Sequence, residues 1–253
     1  MYPDLFGVPG LTMNIAMIVG IVACLILAFV YLKKKGLSKD SYLDFALLVI
    51  VTLIAGIVFA VVIENVYEAI KHAVENTPQA WTWSSTFYGG LFGGVVTFLL
   101  VYFLYYTKHN SPLLKDVLVI APASISLAHA IGRIGCFLNG CCYGKETEEW
   151  HGILFPGHTH KVIPTQLFEA IFLFVLAGFL IFLAFKGVTK YTLIIYMFAY
   201  SIFRFIIEFF RGDERGQLSG LSPSQYWCLI MFVGAFILLY FYRTKIFQKE
   251  KLE

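Results

Sequence analysis

Arg133 and Arg204 stand inside long apolar stretches, where a guanidinium is out of place unless it has a partner or a task. Glu208 follows Arg204 by four residues, which sets the two on one helix face within pairing distance. Glu169 and Tyr88 are further polar groups in apolar surroundings. Two guanidiniums whose charge is only partly cancelled make an anion site, and their planar fork of N–H donors matches phosphate oxygens. A phospholipid phosphate is the expected occupant. The plainer alternative is structural, with Arg204 and Glu208 as an ion pair and Arg133 capping a helix end or reaching out to the interface.

Glycines accompany these charges. Gly89 and Gly90 follow Tyr88, and Gly132 and Gly135 flank Arg133. At the depth of the polar groups these four read equally as room for a lipid headgroup or as close helix contact, whereas Gly93 and Gly94 read mainly as close helix contact. Three thiols, Cys136, Cys141 and Cys142, flank Asn139-Gly140. A C-x4-C-C spacing is a poor match to a four-ligand metal site, although His129, His151, His158 and His160 could complete one. A disulfide, free thiols, and redox or metal chemistry all stay open, while Cys24 and Cys228, each alone on an apolar helix, read as packing.

The elements that must position these residues follow from composition. The 253 residues are 59% hydrophobic and only 14% charged, so the solvent is lipid. Apolar runs predict an all-α, polytopic fold of seven transmembrane helices near 11–32, 43–63, 86–106, 116–138, 164–185, 190–210 and 223–242, one integral membrane domain over 1–253. Three lysines directly follow the first run and no basic residue precedes it, which reads as a retained helix, not a cleaved signal.

Twelve Lys and Arg residues fall in the segments on the side of the C-terminus, against five (Lys71, Lys145, Lys161, Arg211 and Arg215) on the other. The N-terminus is therefore expected outside and the C-terminus in the cytoplasm. Trp81, Trp83, Trp150 and Trp227 all fall near outer helix ends, as interfacial rings do. Arg133 then lies roughly 25 Å and Arg204 roughly 21 Å from the cytoplasmic starts of their helices. With Glu208, Glu169 and Tyr88, they form one polar layer near the outer face. The net charge of +3 is spread along the loops and offers no nucleic-acid patch. The lack of an internal repeat, and of any polar path to the cytoplasm beyond the isolated Asp44, argues against a transporter or channel.

These residues carry a family resemblance. Gly132-Arg133-Ile134-Gly135-Cys136-Phe137-Leu138-Asn139-Gly140 resembles the GRIGNFxNG signature of the prolipoprotein diacylglyceryl transferase family. Pro164-Thr165-Gln166-Leu167-Phe168-Glu169 resembles its HP[ST]QLYE segment, and the run from Phe203 to Arg211 resembles its FRFxxEFFR segment. The motifs occur in family order on the expected helices. The resemblance implies an enzyme that moves the diacylglyceryl group of phosphatidylglycerol to the thiol of a lipobox cysteine in a secreted preprotein. It implies that Arg133 and Arg204 are essential arginines and that Asn139 and Glu208 are polar residues of the same site. Tyr88 stands where the family's HGGL motif has histidine, Cys136 where the signature has its first asparagine, and Ile163 where a histidine precedes the proline. Tyrosine, with a pKa near about 10, suits hydrogen-bond donation better than proton abstraction.

The expected catalytic set is Arg133, Arg204, Tyr88, Glu208 and Asn139. The expected substrate-binding set is Arg133, Gly89, Gly90, Gly132, Gly135 and Glu169. No cofactor and no metal are expected. The expected partners are phosphatidylglycerol, lipobox-containing preproteins and the bilayer, with no nucleic acid. The protein is expected to be a monomer, multi-pass in a bacterial inner (plasma) membrane. Two alternatives stay open: a related transferase using the same lipid site with another acceptor, and a membrane thiol oxidoreductase built on Cys136, Cys141 and Cys142.

Overall fold

The computed structural model describes residues 4–5, 8–36, 39–75, 81, 87–106, 113–156, 158–188, 191–212 and 220–250. A two-residue antiparallel ladder, β1 (Asp4–Leu5) with β2 (Val8–Pro9), precedes the first helix. Among the described residues seven helices follow: α1 (Leu11–Lys34), α2 (Lys39–Glu75), α3 (Phe87–Val101), α4 (Leu113–Asn139), α5 (Thr165–Phe185), α6 (Thr192–Ile207) and α7 (Pro223–Glu250). A π-helical turn, Tyr102–Tyr106, prolongs α3, and a 3-10 turn, Glu208–Phe210, prolongs α6. Six of the helices are long and apolar enough to cross a membrane, and α3 carries a shorter apolar stretch, Phe92–Leu104.

Burial is inverted relative to a water-soluble bundle. Ile57 is 67% and Val175 68% exposed, while the Glu169 side chain is 0% exposed. Such a surface is stable only against hydrocarbon, because in water each exposed aliphatic side chain would forgo about 1.5–3 kcal/mol of burial. The charges are inside because lipid offers them no partner.

α2 outruns its predicted end near residue 63 and continues to Glu75. The polar residues beyond 63 do not break a helix. Asn65 Nδ2 donates back to the Val61 carbonyl at 2.9 Å, and Glu68 faces His72 one turn on at 3.7 Å. At 37 residues α2 is roughly 55 Å long, well over the thickness of a hydrocarbon core.

The chain forms two compact units, Met1–Tyr31 with Val117–Glu253, and Leu32–Asp116. In the first, small residues bring α1 against α4. A Cβ on Gly20 would lie 2.9 Å from the Ala128 carbonyl oxygen, and one on Gly135 would lie 2.5 Å from the Ala16 Cβ. Aromatic contacts tie the later helices together: Phe172 on α5 stacks on Phe203 of α6 at 4.0 Å, and Phe198 of α6 meets Phe232 and Phe236 of α7 edge-on. Pro122 removes one donor from the α4 ladder, and Ser126 Oγ donates to the Pro122 carbonyl at 2.8 Å.

In the second unit α2 and α3 pack through glycines. A Cβ on Gly90 would sit 3.3 Å from both the Ala60 Cβ and the Gly56 carbonyl oxygen, and one on Gly93 would collide with the Phe59 side chain. Close contact, read from the sequence for Gly93, also accounts for Gly90. Trp81, Trp150 and Trp227 are exposed, and Trp83 lies outside the described residues.

Candidate functional site

Glu169, one turn into α5, is the hub of the first unit's polar interior. Its Oε2 lies 3.0 Å from Nε of Arg133 on α4, and its Oε1 lies 3.9 Å from Nε of Arg204 on α6. His129, one turn before Arg133, faces the same carboxylate with Nε2 at 3.6 Å. Tyr200 Oη donates to Glu169 Oε1 at 3.3 Å, and the Tyr200 ring meets the His129 ring edge-on at 5.4 Å. A buried charge without partners would be prohibitive in an apolar surround. Here one carboxylate is shared by two guanidiniums and two neutral-capable donors.

The second half of the network follows helical spacing on α6. Tyr196, Tyr200, Arg204 and Glu208 recur every four residues and line one face. Arg204 Nη1 lies 2.6 Å from Glu208 Oε2, as the four-residue spacing predicts, and Arg204 Nη2 donates to Ser224 Oγ at 3.3 Å. Ser222 Oγ donates to Glu208 Oε1 at 2.8 Å, just before α7 begins. Arg211, at the end of the following 3-10 turn, is buried beside these groups. Three buried or largely buried guanidiniums, Arg133, Arg204 and Arg211, therefore stand against two carboxylates, Glu169 and Glu208. The interior carries a surplus positive charge, which is what an anion site requires. An open apolar cleft between α6 and α7, lined by Ile202, Phe205 and Phe232, starts from the same stretch of α6.

Arg133, Glu169, Arg204 and Glu208 are thus brought together as the sequence suggests. Asn139 ends α4 and has a buried Oδ1 with no hydrogen-bond partner among the described residues. Gly132 has nothing within 4 Å of where a Cβ would stand, so it leaves open space, whereas Gly135 is taken up by the α1 contact. Gly89 is buried in the first turn of α3, and Gly90 packs against α2. Tyr88 opens the same turn, and its side chain lies outside the described residues.

The sequence reading missed His129, Tyr200, Arg211, Ser222 and Ser224 as members of the network. The signal was present for two of them: His129 precedes Arg133 by four residues, and Tyr200 precedes Arg204 by four, so each shares a face with an arginine. Nothing in the spacing marks Ser222 or Ser224, which arrive through the turn before α7.

The thiols lie where α4 ends. Gly140 and Cys142 both take left-handed backbone, φ 71° and 64°, and turn the chain back on itself. Cys136, Cys141 and Cys142 are all unbridged, with their sulfurs within 4.8 Å of one another. The first turn of α5 pins this loop, since Thr165 Oγ1 donates to the Cys142 carbonyl at 3.0 Å and Gln166 Nε2 to the Cys141 carbonyl at 2.6 Å. Hydrogen bonds with the Cys136 and Cys141 thiols, then the Arg211 charge, hold the Cys142 thiol far below the ordinary thiol range against the opposing effect of burial. Cys141 moves the other way. Its bond with Cys136 lowers it, but its bond with Cys142 and its burial outweigh that. Downstream, Gly144 and Gly212 allow backbone contact: a Cβ on Gly144 would lie 2.5 Å from the Phe210 carbonyl oxygen, and Lys145 N donates to that oxygen at 2.8 Å.

The model of the family described as prolipoprotein diacylglyceryl transferase matches residues 10–241. A protein of Clostridium tetani named phosphatidylglycerol--prolipoprotein diacylglyceryl transferase is 41% identical over 143 residues, covering 53% of this chain and 57% of the relative. A Clostridium perfringens protein, named as the second such transferase of its organism, is 42% identical over 139 residues, covering 53% of each. One from Dehalococcoides mccartyi is 34% identical over 152 residues, covering 57% of each. The chain spans little more than half the length of these relatives.

Proposed function

This chain belongs to the prolipoprotein diacylglyceryl transferase family, and on that premise we propose that it moves the diacylglyceryl group of phosphatidylglycerol to the thiol of a lipobox cysteine in a preprolipoprotein. The observation that carries the reading is the buried network in which three guanidiniums face two carboxylates. A phosphodiester anion restores neutrality there, and the apolar cleft beside α6 suits an acyl chain.

The reaction follows from the groups present. The acceptor sulfur attacks the glyceryl carbon, an S–C bond forms, and the C–O bond to phosphate breaks. Glycerol phosphate leaves with the electron pair of that bond. Arg133 and Arg204 stabilise the charge that grows on the phosphate, an effect worth about 100- to 1,000-fold per donor. Glu169 holds both guanidiniums in place and does not itself react. His129 takes the thiol proton. Among the groups around Glu169 it is the one with a ring nitrogen whose lone pair can accept a proton. Its position 3.6 Å from Glu169 orients the ring. Asn139, whose Oδ1 lacks a partner, is available to the acceptor. In this reading Gly132, with open space where a Cβ would stand, contributes to lipid binding.

The excess of twelve basic residues to five supports an N-terminus outside and a C-terminus in the cytoplasm. The family and the apolar helices support a multi-pass protein of a bacterial inner membrane, read here as a monomer with the network toward the outer leaflet. A second reading, the same lipid chemistry with another acceptor, is favoured by one feature, the replacement of the signature's polar residue by Cys136. The test incubates the purified chain with phosphatidylglycerol vesicles and a lipobox peptide, beside Arg133→Gln. Wild type is expected to yield a thioether-linked lipopeptide and the variant none. No lipopeptide from a folded wild type overturns the proposal.

A further inference from the structure

The thiols of Cys136, Cys141 and Cys142 take no part in the transfer chemistry, yet their placement is specific. Cys136 is buried in the last turns of α4, and the two others are half-buried in the loop that follows. Cys142 sits at φ 64°, a backbone region where an L side chain costs about 1–3 kcal/mol and where glycine would be free of strain. Such a conformation persists only when its surroundings impose it. Thr165 and Gln166, both fully buried in the first turn of α5, do so by binding the Cys142 and Cys141 carbonyls. The result is three sulfurs gathered on one side of a pinned loop, none of them bridged.

We propose that Cys136, Cys141 and Cys142 form a three-thiolate site for a thiophilic divalent cation of the zinc class. The sulfurs lie within 4.8 Å of one another. Zinc–sulfur bonds of about 2.3 Å set tetrahedral sulfurs about 3.8 Å apart, so side-chain rotation without backbone movement closes the difference. All three ligands are soft, with no carboxylate oxygen in the group, which selects against magnesium and calcium. No fourth ligand joins the three among the described residues, so a fourth position is left for water or a bound group, as in catalytic and not structural zinc sites. The site clips the end of α4, six residues from Arg133 to Asn139, to the start of α5, which carries Glu169. It would fix the spacing of the Arg133–Glu169 pair whichever acceptor the enzyme uses.

The test uses the full chain, purified in detergent, fully reduced and stripped of metal. Cadmium is titrated in while the ultraviolet thiolate-to-metal charge-transfer band is followed, and zinc is used in competition. The expected band saturates at one equivalent, and zinc abolishes it. Cys141→Ser and Cys142→Ser each weaken binding by at least about 100-fold, while Cys24→Ser and Cys228→Ser leave it unchanged. A second measurement needs no variant: one equivalent of zinc should slow alkylation of Cys136, Cys141 and Cys142 in wild type, read by peptide mass mapping, without affecting Cys24. The proposal is overturned by absence of the band at one equivalent, by a band that survives both serine variants, or by recovery of two of the three thiols as a disulfide from cells alkylated at lysis.

Discussion

The α2–α3 pair and the α4–α7 interior are held together by opposite means. In the first, helices approach where side chains are missing, at Gly56, Gly90 and Gly93, and close packing does the work. In the second, helices are joined by side chains that lipid would reject, with Glu169 shared between α4 and α6 and Arg204 tied to Glu208 and to Ser224 of α7. Glycine contacts give proximity without direction. Ion pairs between buried side chains hold charge at defined positions, and only that kind of contact leaves net charge at a defined place. The chemistry therefore belongs to the second region.

Glu169→Gln should break this contrast most severely. It preserves volume but leaves Arg133 and Arg204 without their shared carboxylate, so a loss of about 3–5 kcal/mol is expected, visible as a large fall in thermal midpoint in detergent. Arg133→Gln should be milder in stability and severe in turnover, about 100- to 1,000-fold down, with Arg133→Lys recovering little because a lysine lacks the fork. His129→Gln should slow transfer by at least about 100-fold while phosphatidylglycerol binding is retained. If His129 is the base, imidazole added in solution should restore part of the variant's rate, and if it merely packs, added imidazole should have no effect.

In the glycine-packed pair, Gly93→Val forces α3 away from Phe59 and should cost about 1–3 kcal/mol of stability, and an unchanged midpoint would refute the packing account. The smallest effect belongs to the edge of the network. Ser222→Ala removes one hydrogen bond to Glu208 and should cost about 1–1.5 kcal/mol, with turnover lowered only a few-fold.

The contrast also explains what the sequence could reveal. Helices were legible because apolar runs of membrane length have one reading in this composition, and the Arg204–Glu208 pair was legible because helical periodicity puts residues four apart on one face. The same rule would have found His129 and Tyr200. The end of α2 is not legible from charge, because a helix that leaves the apolar layer has no reason to stop at its first glutamate. By sequence Gly135 could serve either packing or headgroup space, and only the three-dimensional contact with Ala16 assigns it to packing. The gathering of the three thiols was illegible for a different reason. It depends on two left-handed residues and on two donors from α5, and no periodic rule connects Cys141 to Gln166 across a loop.

The most direct test of the central claim is a product balance. Purified wild-type chain, phosphatidylglycerol labelled in its phosphate and a lipobox peptide are incubated together, and released glycerol phosphate is counted against thioether-linked lipopeptide. The account predicts one glycerol phosphate per thioether, both lost in Arg133→Gln. Glycerol phosphate released without a thioether, or neither product from folded protein, would contradict it.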